Sequence, residues 1–307
     1  MTYWKNIRFT VIILSIVLLI CGGCTNDKAE SDLPDDLPKT KGLSLTEEEF
    51  PRLDGSTSTI PLGEALVAIM TGKDRAESKK YAEFSGTNEA YQNLADNNTD
   101  LLLVYEMPDE AATYIKKKNV EFDIAPIGCD ALVFIVNAQN PVDNLTTRQI
   151  IDIYAGKITI WKEVGGKDEE IAPYQRNDSS GSQTLMKKLV MNWTPLMPTR
   201  ENLIAWGMNE IITAVATYDN SYSAIGYNVY YYVSVMRKDP NIKILAVDGI
   251  IPSNETIANG EYPFVNDFYA VIRKNAPQNS PERLLFSWLQ SAEGQMLIDA
   301  EGYVAKY

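Results

Sequence analysis

The residues best suited to chemistry in this chain lie together at Arg176-Asn177-Asp178-Ser179-Ser180-Gly181-Ser182-Gln183-Thr184. Apolar residues at helical spacing follow: Leu185, Met186, Leu189 and Val190. The run reads as a polar loop entering a helix, with Ser180 or Ser182 as N-cap and Gly181 allowing a sharp turn. A helix start presents unpaired N–H groups and the positive end of the macrodipole. With hydroxyls and a guanidinium beside it, that start is a cradle for an anion. An ordinary capped helix with a surface arginine accounts for the same residues equally well.

Two further stretches have this character. Arg52-Leu53-Asp54-Gly55-Ser56-Thr57-Ser58-Thr59 precedes a helix with apolar positions Leu62, Leu66, Val67, Ile69 and Met70. Phe84-Ser85-Gly86-Thr87-Asn88 precedes Ala90, Tyr91 and Leu94. Between the second and third starts, residues 99–106 form a solid apolar run that ends in Glu106. That run predicts a buried parallel strand, and ligands of open α/β sheets gather at the carboxyl ends of such strands. Elsewhere the pattern predicts helices over 111–118, 146–155, 203–216, 229–236 and 281–298. Strands are expected over 120–126, 131–137, 171–175, 224–227, 242–247 and 268–272. This alternation predicts α/β lobes with parallel sheets.

Composition narrows the function. The 307 residues are 45% hydrophobic and 22% charged, which is globular composition of about two domains' length. A formal charge of −13 argues against a nucleic-acid partner. The chain has no histidine, which excludes Ser-His-Asp and Cys-His catalysis and histidine metal sites. No cofactor and no metal are expected.

At the N-terminus, Lys5 and Arg8 precede an apolar run over 9–20 and then Cys21-Gly22-Gly23-Cys24. The run is short for a membrane span and suits a signal-peptide core. Its end resembles a bacterial lipoprotein signal, which implies removal of residues 1–23 and lipidation of Cys24. An uncleaved membrane anchor is the alternative. Residues 24–44 are polar, acidic and proline-containing and read as a flexible tether. After cleavage Cys129 is the one unmodified thiol, so no internal disulfide is expected.

Several stretches together resemble the PstS family, the phosphate-binding proteins of bacterial phosphate ABC transporters. The Arg176 loop is similar to that family's Arg-x-Asp-x-Ser-Gly-Thr, with Ser182 at the last position. Gly156-Lys157-Ile158-Thr159-Ile160-Trp161-Lys162-Glu163-Val164-Gly165-Gly166 is similar to its Gly-Lys-Ile-x-x-Trp-x-x-x-Gly-Gly. Ile225-Gly226-Tyr227 and Glu293-Gly294-Gln295 also fit, and the resemblance covers residues 50–307. Where known members carry Asp-Phe-Gly-Ala-Ser-Asp, this chain has Val104-Tyr105-Glu106-Met107-Pro108, which puts Glu106 in the aspartate's place.

The resemblance implies a type II periplasmic-binding fold: two doubly wound α/β lobes joined by a two-crossing hinge. Lobe 1 would be residues 45–127 plus 251–307 and lobe 2 residues 128–250, with crossings near Gly128 and Ile250. It implies that Ser58, Thr59, Ser85, Thr87, Glu106, Arg176, Ser180, Gly181 and Ser182 hold inorganic phosphate, with Asp178 orienting the Arg176 guanidinium. Glu106 would accept the proton of HPO4 2− and reject sulfate, which has none to give. The expected protein is a monomeric, lipid-anchored receptor on the extracytoplasmic face of the cell membrane. It would be no enzyme, and would deliver phosphate to ABC permease subunits. The alternatives are a receptor for another tetrahedral oxyanion such as sulfate, or a surface hydrolase or phosphatase. The last lacks a general base.

Overall fold

A computed structural model describes residues 43–192, 194–217 and 223–306. The expected signal peptide, Cys24 and nearly all of the expected tether lie outside the described residues.

An eight-stranded mixed sheet organises the described chain. Its strands are β1 (Leu53–Gly55), β2 (Leu101–Val104), β3 (Phe122–Asn137), β4 (Ala172–Pro173), β5 (Ala224–Val229), β6 (Ile242–Ile244), β7 (Val265–Arg273) and β8 (Val304–Ala305). The long strand β3 belongs to both ends of this sheet. Residues 122–131 pair antiparallel with β7, which pairs antiparallel with β2, which pairs parallel with β1. From Leu132 onward β3 pairs with β5 and β6 instead. The change of partners therefore falls between Ala131 and Leu132, a few residues beyond Gly128.

The β2 segment shows how side-chain alternation builds two layers. Leu101 and Leu103 pack with Leu62, Leu66 and Val67 of α1 (Ile60–Thr71) in the main core. Leu102 and Val104 pack on the opposite face with Ala90, Tyr91 and Leu94 of α2 (Thr87–Ala95). Helices thus cover both faces. At the other end of the sheet, Phe134, Tyr154 and Tyr227 meet as tilted and edge-on rings. Trp161 is buried beside them and its Nε1 donates to the Ser223 carbonyl at 3.0 Å. The Trp161-Gly165-Gly166 segment is therefore structural.

Four sequence expectations need correction. The sheet is mixed rather than parallel. The strands expected over 120–126 and 131–137 are one strand, because Pro126 sits where the register shifts opposite Phe268 and Tyr269; a proline without an N–H is tolerated at such a bulge. The helix expected over 203–216 is a short strand at Ile204–Ala205 followed by a helix at Met208–Thr217. The helix over 281–298 is two, Pro281–Leu289 and Ala292–Ala300, because the Ser291 side chain caps the second.

Candidate functional site

Three polar loops converge on one cavity of about 180 Å3. The first turn, Thr57–Thr59, runs into α1; the second loop, Ser85-Gly86, enters α2; the third, residues 177–180, enters α3 (Gly181–Leu185), which continues as a π-helical turn, Met186–Val190. Gly86 has φ +100, a backbone state that favours glycine, and it places Thr87 at the start of α2. Ser180 caps α3, its Oγ accepting from the Gln183 amide at 3.2 Å. Each start leaves its first amides without helical partners.

The first two loops form one wall. Asp54 is buried and bolts them together: its Oδ1 accepts the amides of Gly55 and Ser85, each at 2.7 Å, and its Oδ2 accepts the Ser85 hydroxyl at 2.6 Å. The Ser56 and Thr87 hydroxyls lie 2.7 Å apart, and Ser56 Oγ also accepts the Tyr105 amide at 3.2 Å.

The third loop forms the other wall, and it carries charge. Arg176 is 7% exposed. Its Nε donates to the Ala205 carbonyl at 3.0 Å and its Nη2 to the Trp206 carbonyl at 3.1 Å. Its amide donates to Tyr227 Oη at 3.0 Å, and Tyr227 in turn hydrogen-bonds Gln183. The guanidinium is thus fixed by backbone through the parallel pairing of Gln175–Arg176 with Ile204–Ala205. Its Nη1 is buried without a hydrogen-bond partner among the described residues. Burial away from water lowers the Arg176 pKa and outweighs the opposing pull of the Glu210 carboxylate. A buried, unpaired charged donor is costly, and an anion is the group that satisfies it.

Of the residues expected from sequence, Ser58, Ser85, Thr87, Arg176, Ser180, Gly181 and Ser182 line this cavity. Thr59 does not. Its amide donates to Ser56 O, and its hydroxyl lies 2.8 Å from Ser56 O and 2.6 Å from Leu103 O, so it anchors the turn. Asp178 does not orient Arg176: it is exposed and accepts from Lys187 Nζ at 2.6 Å. Glu106 is not at the cavity either. It pairs with Lys188 at 2.9 Å, because alternation beyond β2 turns Tyr105 toward the main core and cavity, leaving Glu106 on the other side.

The cavity also includes residues that the sequence reading passed over: Ser56 and Thr57, Glu89, Tyr105, Asn177, Ser179 and Trp206. Ser56 and Thr57 were findable, since they share the hydroxyl run. Tyr105 was findable by counting alternation from Leu101. Nothing local marks Trp206, which arrives through the Gln175–Arg176 pairing.

Residues 52–293 match the profile of the PBP superfamily domain. The chain belongs to this superfamily. Among curated relatives, the phosphate-binding protein PstS of Staphylococcus epidermidis RP62A is 27% identical, over 99% of this chain and 90% of its own. PstS of Staphylococcus aureus RF122 is 24% identical over 99% of this chain and 89% of its own. Among solved structures, a phosphate ABC transporter substrate-binding protein from Clostridium perfringens, crystallised with bound phosphate, aligns with TM-score 0.62 and 26% identity. That alignment covers 82% of this chain and 98% of the other. An ABC-type phosphate transport receptor from Vibrio cholerae has the same fold, with TM-score 0.59. The superfamily member described here therefore has the type II periplasmic-binding fold, and the resemblance to PstS proteins drawn from its motifs is borne out. Among the described residues no helix is long and apolar enough to cross a membrane.

Proposed function

We propose that this protein captures inorganic phosphate between the two walls of the cavity and delivers it to an ABC permease. One observation carries the reading: the buried Arg176 Nη1 lacks a partner among the described residues, in a small polar cavity ringed by helix starts. A tetrahedral anion there takes the guanidinium from one wall and hydroxyls and amides from both. The relatives named for phosphate binding, and the 26% identical protein crystallised with phosphate, support the choice of anion. In this reading lobe 1 is residues 45–127 plus 251–307 and lobe 2 residues 128–250. The change of β3 partners after Ala131 supports a crossing close to that boundary. The walls approach closely at Gly181, where an added Cβ would lie 2.8 Å from Thr87 Oγ1.

The same reading makes the protein a receptor and not an enzyme, monomeric and tethered outside the membrane through a lipid on Cys24. Mass spectrometry of the membrane-associated protein tests the anchor: a mature chain that begins at a lipidated Cys24 is expected, and an intact N-terminus contradicts it. Calorimetry on phosphate-stripped protein tests the function. Saturable one-to-one phosphate binding that outcompetes sulfate is expected; no heat with phosphate overturns the reading. A chromogenic phosphate ester should not turn over.

A further inference from the structure

Tyr303 is 1% exposed and stands where the chain passes from the helix Ala292–Ala300 into β8. Gly302 precedes it with φ +86, a left-handed state that ends the helix and redirects the backbone. β8 pairs with β3 at Gly128 and Cys129, just before β3 changes partners. From there the Tyr303 phenol reaches the first turn of the cavity wall, where its Oη donates to the Ser58 carbonyl at 2.7 Å. Ser58 lines the cavity and Tyr303 does not, so the carbonyl it holds faces the protein interior.

A carbonyl can only accept. On a turn that meets an anion it repels the ligand if it faces the cavity, and it costs free energy if it is buried without a donor. The Tyr303 phenol answers both needs. The rest of the turn is anchored separately: the Thr59 hydroxyl lies 2.6 Å from Leu103 O, and Ser56 Oγ accepts the Tyr105 amide at 3.2 Å.

The ring of Tyr303 is held as closely as its hydroxyl. It stacks on Tyr231 with centroids 3.6 Å apart and planes 14° apart, and it packs against Phe268 at 5.3 Å. Tyr231 is fixed at both ends. Its amide donates to Asp130 Oδ1 and its Oη to the Glu301 carbonyl, each at 3.1 Å. In the lobe division proposed above, Tyr231 belongs to lobe 2 and Tyr303 to lobe 1. The stack then bridges the lobes beside their crossing, and a shift there moves the ring and, through its phenol, the Ser58 turn.

We propose that Tyr303 is a positioning residue for the anion site: it holds the Ser58 turn in its binding geometry, and Tyr231 holds Tyr303 in place from the other lobe. This rests on the phosphate reading of the cavity.

The test is calorimetric titration of phosphate into wild type, Tyr303→Phe, Tyr231→Leu and Tyr262→Phe. Tyr303→Phe keeps the ring and its stack and deletes one hydroxyl. Tyr262→Phe is the matched control, since Tyr262 is also 1% exposed and donates its Oη to a backbone carbonyl, Leu132 O, at 3.2 Å, away from the cavity. Each variant loses one buried phenol–carbonyl hydrogen bond, and both should melt somewhat below wild type. Phosphate affinity should fall about five- to tenfold in Tyr303→Phe, the scale of one hydrogen bond lost with its acceptor left buried, and stay at the wild-type value in Tyr262→Phe. Tyr231→Leu keeps the phenol but removes the stack, and should weaken phosphate about two- to fivefold. It carries the test should Tyr303→Phe fold poorly by circular dichroism. Wild-type affinity in Tyr303→Phe, or in Tyr231→Leu where Tyr303→Phe does not fold, overturns the proposal. Equal losses in Tyr303→Phe and Tyr262→Phe overturn it too, because a merely structural phenol would act that way. Wild type that binds no phosphate overturns the phosphate reading and this inference with it, whereas normal wild-type binding with an unaltered Tyr303→Phe overturns the inference alone.

Discussion

The two walls of the cavity are built on opposite principles. The wall of Ser56, Ser58, Ser85 and Thr87 carries no cation, and its order comes from side chains: the Asp54 carboxylate holds one loop to the other, and the Ser56 and Thr87 hydroxyls bond to each other. The wall of Arg176 and Ser180 to Ser182 carries a full charge, and its order comes from backbone carbonyls at Ala205 and Trp206. A carboxylate beside Arg176 would neutralise it and compete with the anion. Carbonyls orient the guanidinium and leave its charge for the ligand. In the phosphate reading the charged wall therefore supplies most of the affinity, and the hydroxyl wall completes the set of donors around the anion.

Arg176→Ala should have the largest effect, weakening phosphate binding by about 2–5 kcal/mol in calorimetric titrations. Arg176→Lys should not restore it, since an ammonium cannot bridge two carbonyls and an anion in one plane. Equal losses from removing any one hydroxyl would break the division between the walls.

Asp130, buried on β3 where its Oδ2 accepts the Tyr105 phenol at 2.6 Å, should leave a mark on stability. Its pKa in the fold, about 6, lies above the ordinary 3.8. The stability of the protonated form is fully present below 3.8 and is lost as pH rises through about 6. Wild type should thus lose about 3 kcal/mol relative to Asp130→Asn across that window, in paired denaturant melts. Parallel pH profiles would contradict it.

Asp54→Ala strips the acceptor from Ser85 and Gly55, and should cost about 1–3 kcal/mol of stability as well as phosphate affinity. Because the charged wall does not depend on Asp54, sulfate and phosphate should both still bind. Gly181→Ala pushes a methyl toward Thr87 Oγ1 and should weaken phosphate by about 1 kcal/mol through misfit of the walls, with little change in melting. The smallest effect belongs to Glu106→Gln. Its ion pair with Lys188 is partly exposed, so affinity and selectivity should change by less than about 1 kcal/mol.

The chain order of the site was legible because its parts are local: each helix start announces itself by hydroxyls before an apolar stripe, and Ser180 caps α3 as its type predicts. What supports Arg176 was not legible. Asp178 stands two residues away and invites an ion pair, but the true partners are carbonyls brought by a strand pairing across some thirty residues, and carbonyls have no sequence signature. The same limit hid the strand mixture. The apolar run at β2 does not reveal that its neighbour is the antiparallel β7, since a strand covered on both faces looks alike in either direction. Glu106 failed on a count of one, for alternation assigns Tyr105 to the cavity as soon as Leu101 and Leu103 are known to face α1.

The central claim is that one tetrahedral oxyanion is held between these walls against Arg176. Arsenate, a phosphate analogue with strong anomalous scattering, tests it most directly in a crystal of the phosphate-stripped protein. The account predicts a single arsenic peak in the cavity, with an oxygen within hydrogen-bond reach of Arg176 Nη1 and others met by Thr87 and the start of α3. A peak that leaves Nη1 unpaired, or that lies outside the cavity, would contradict it.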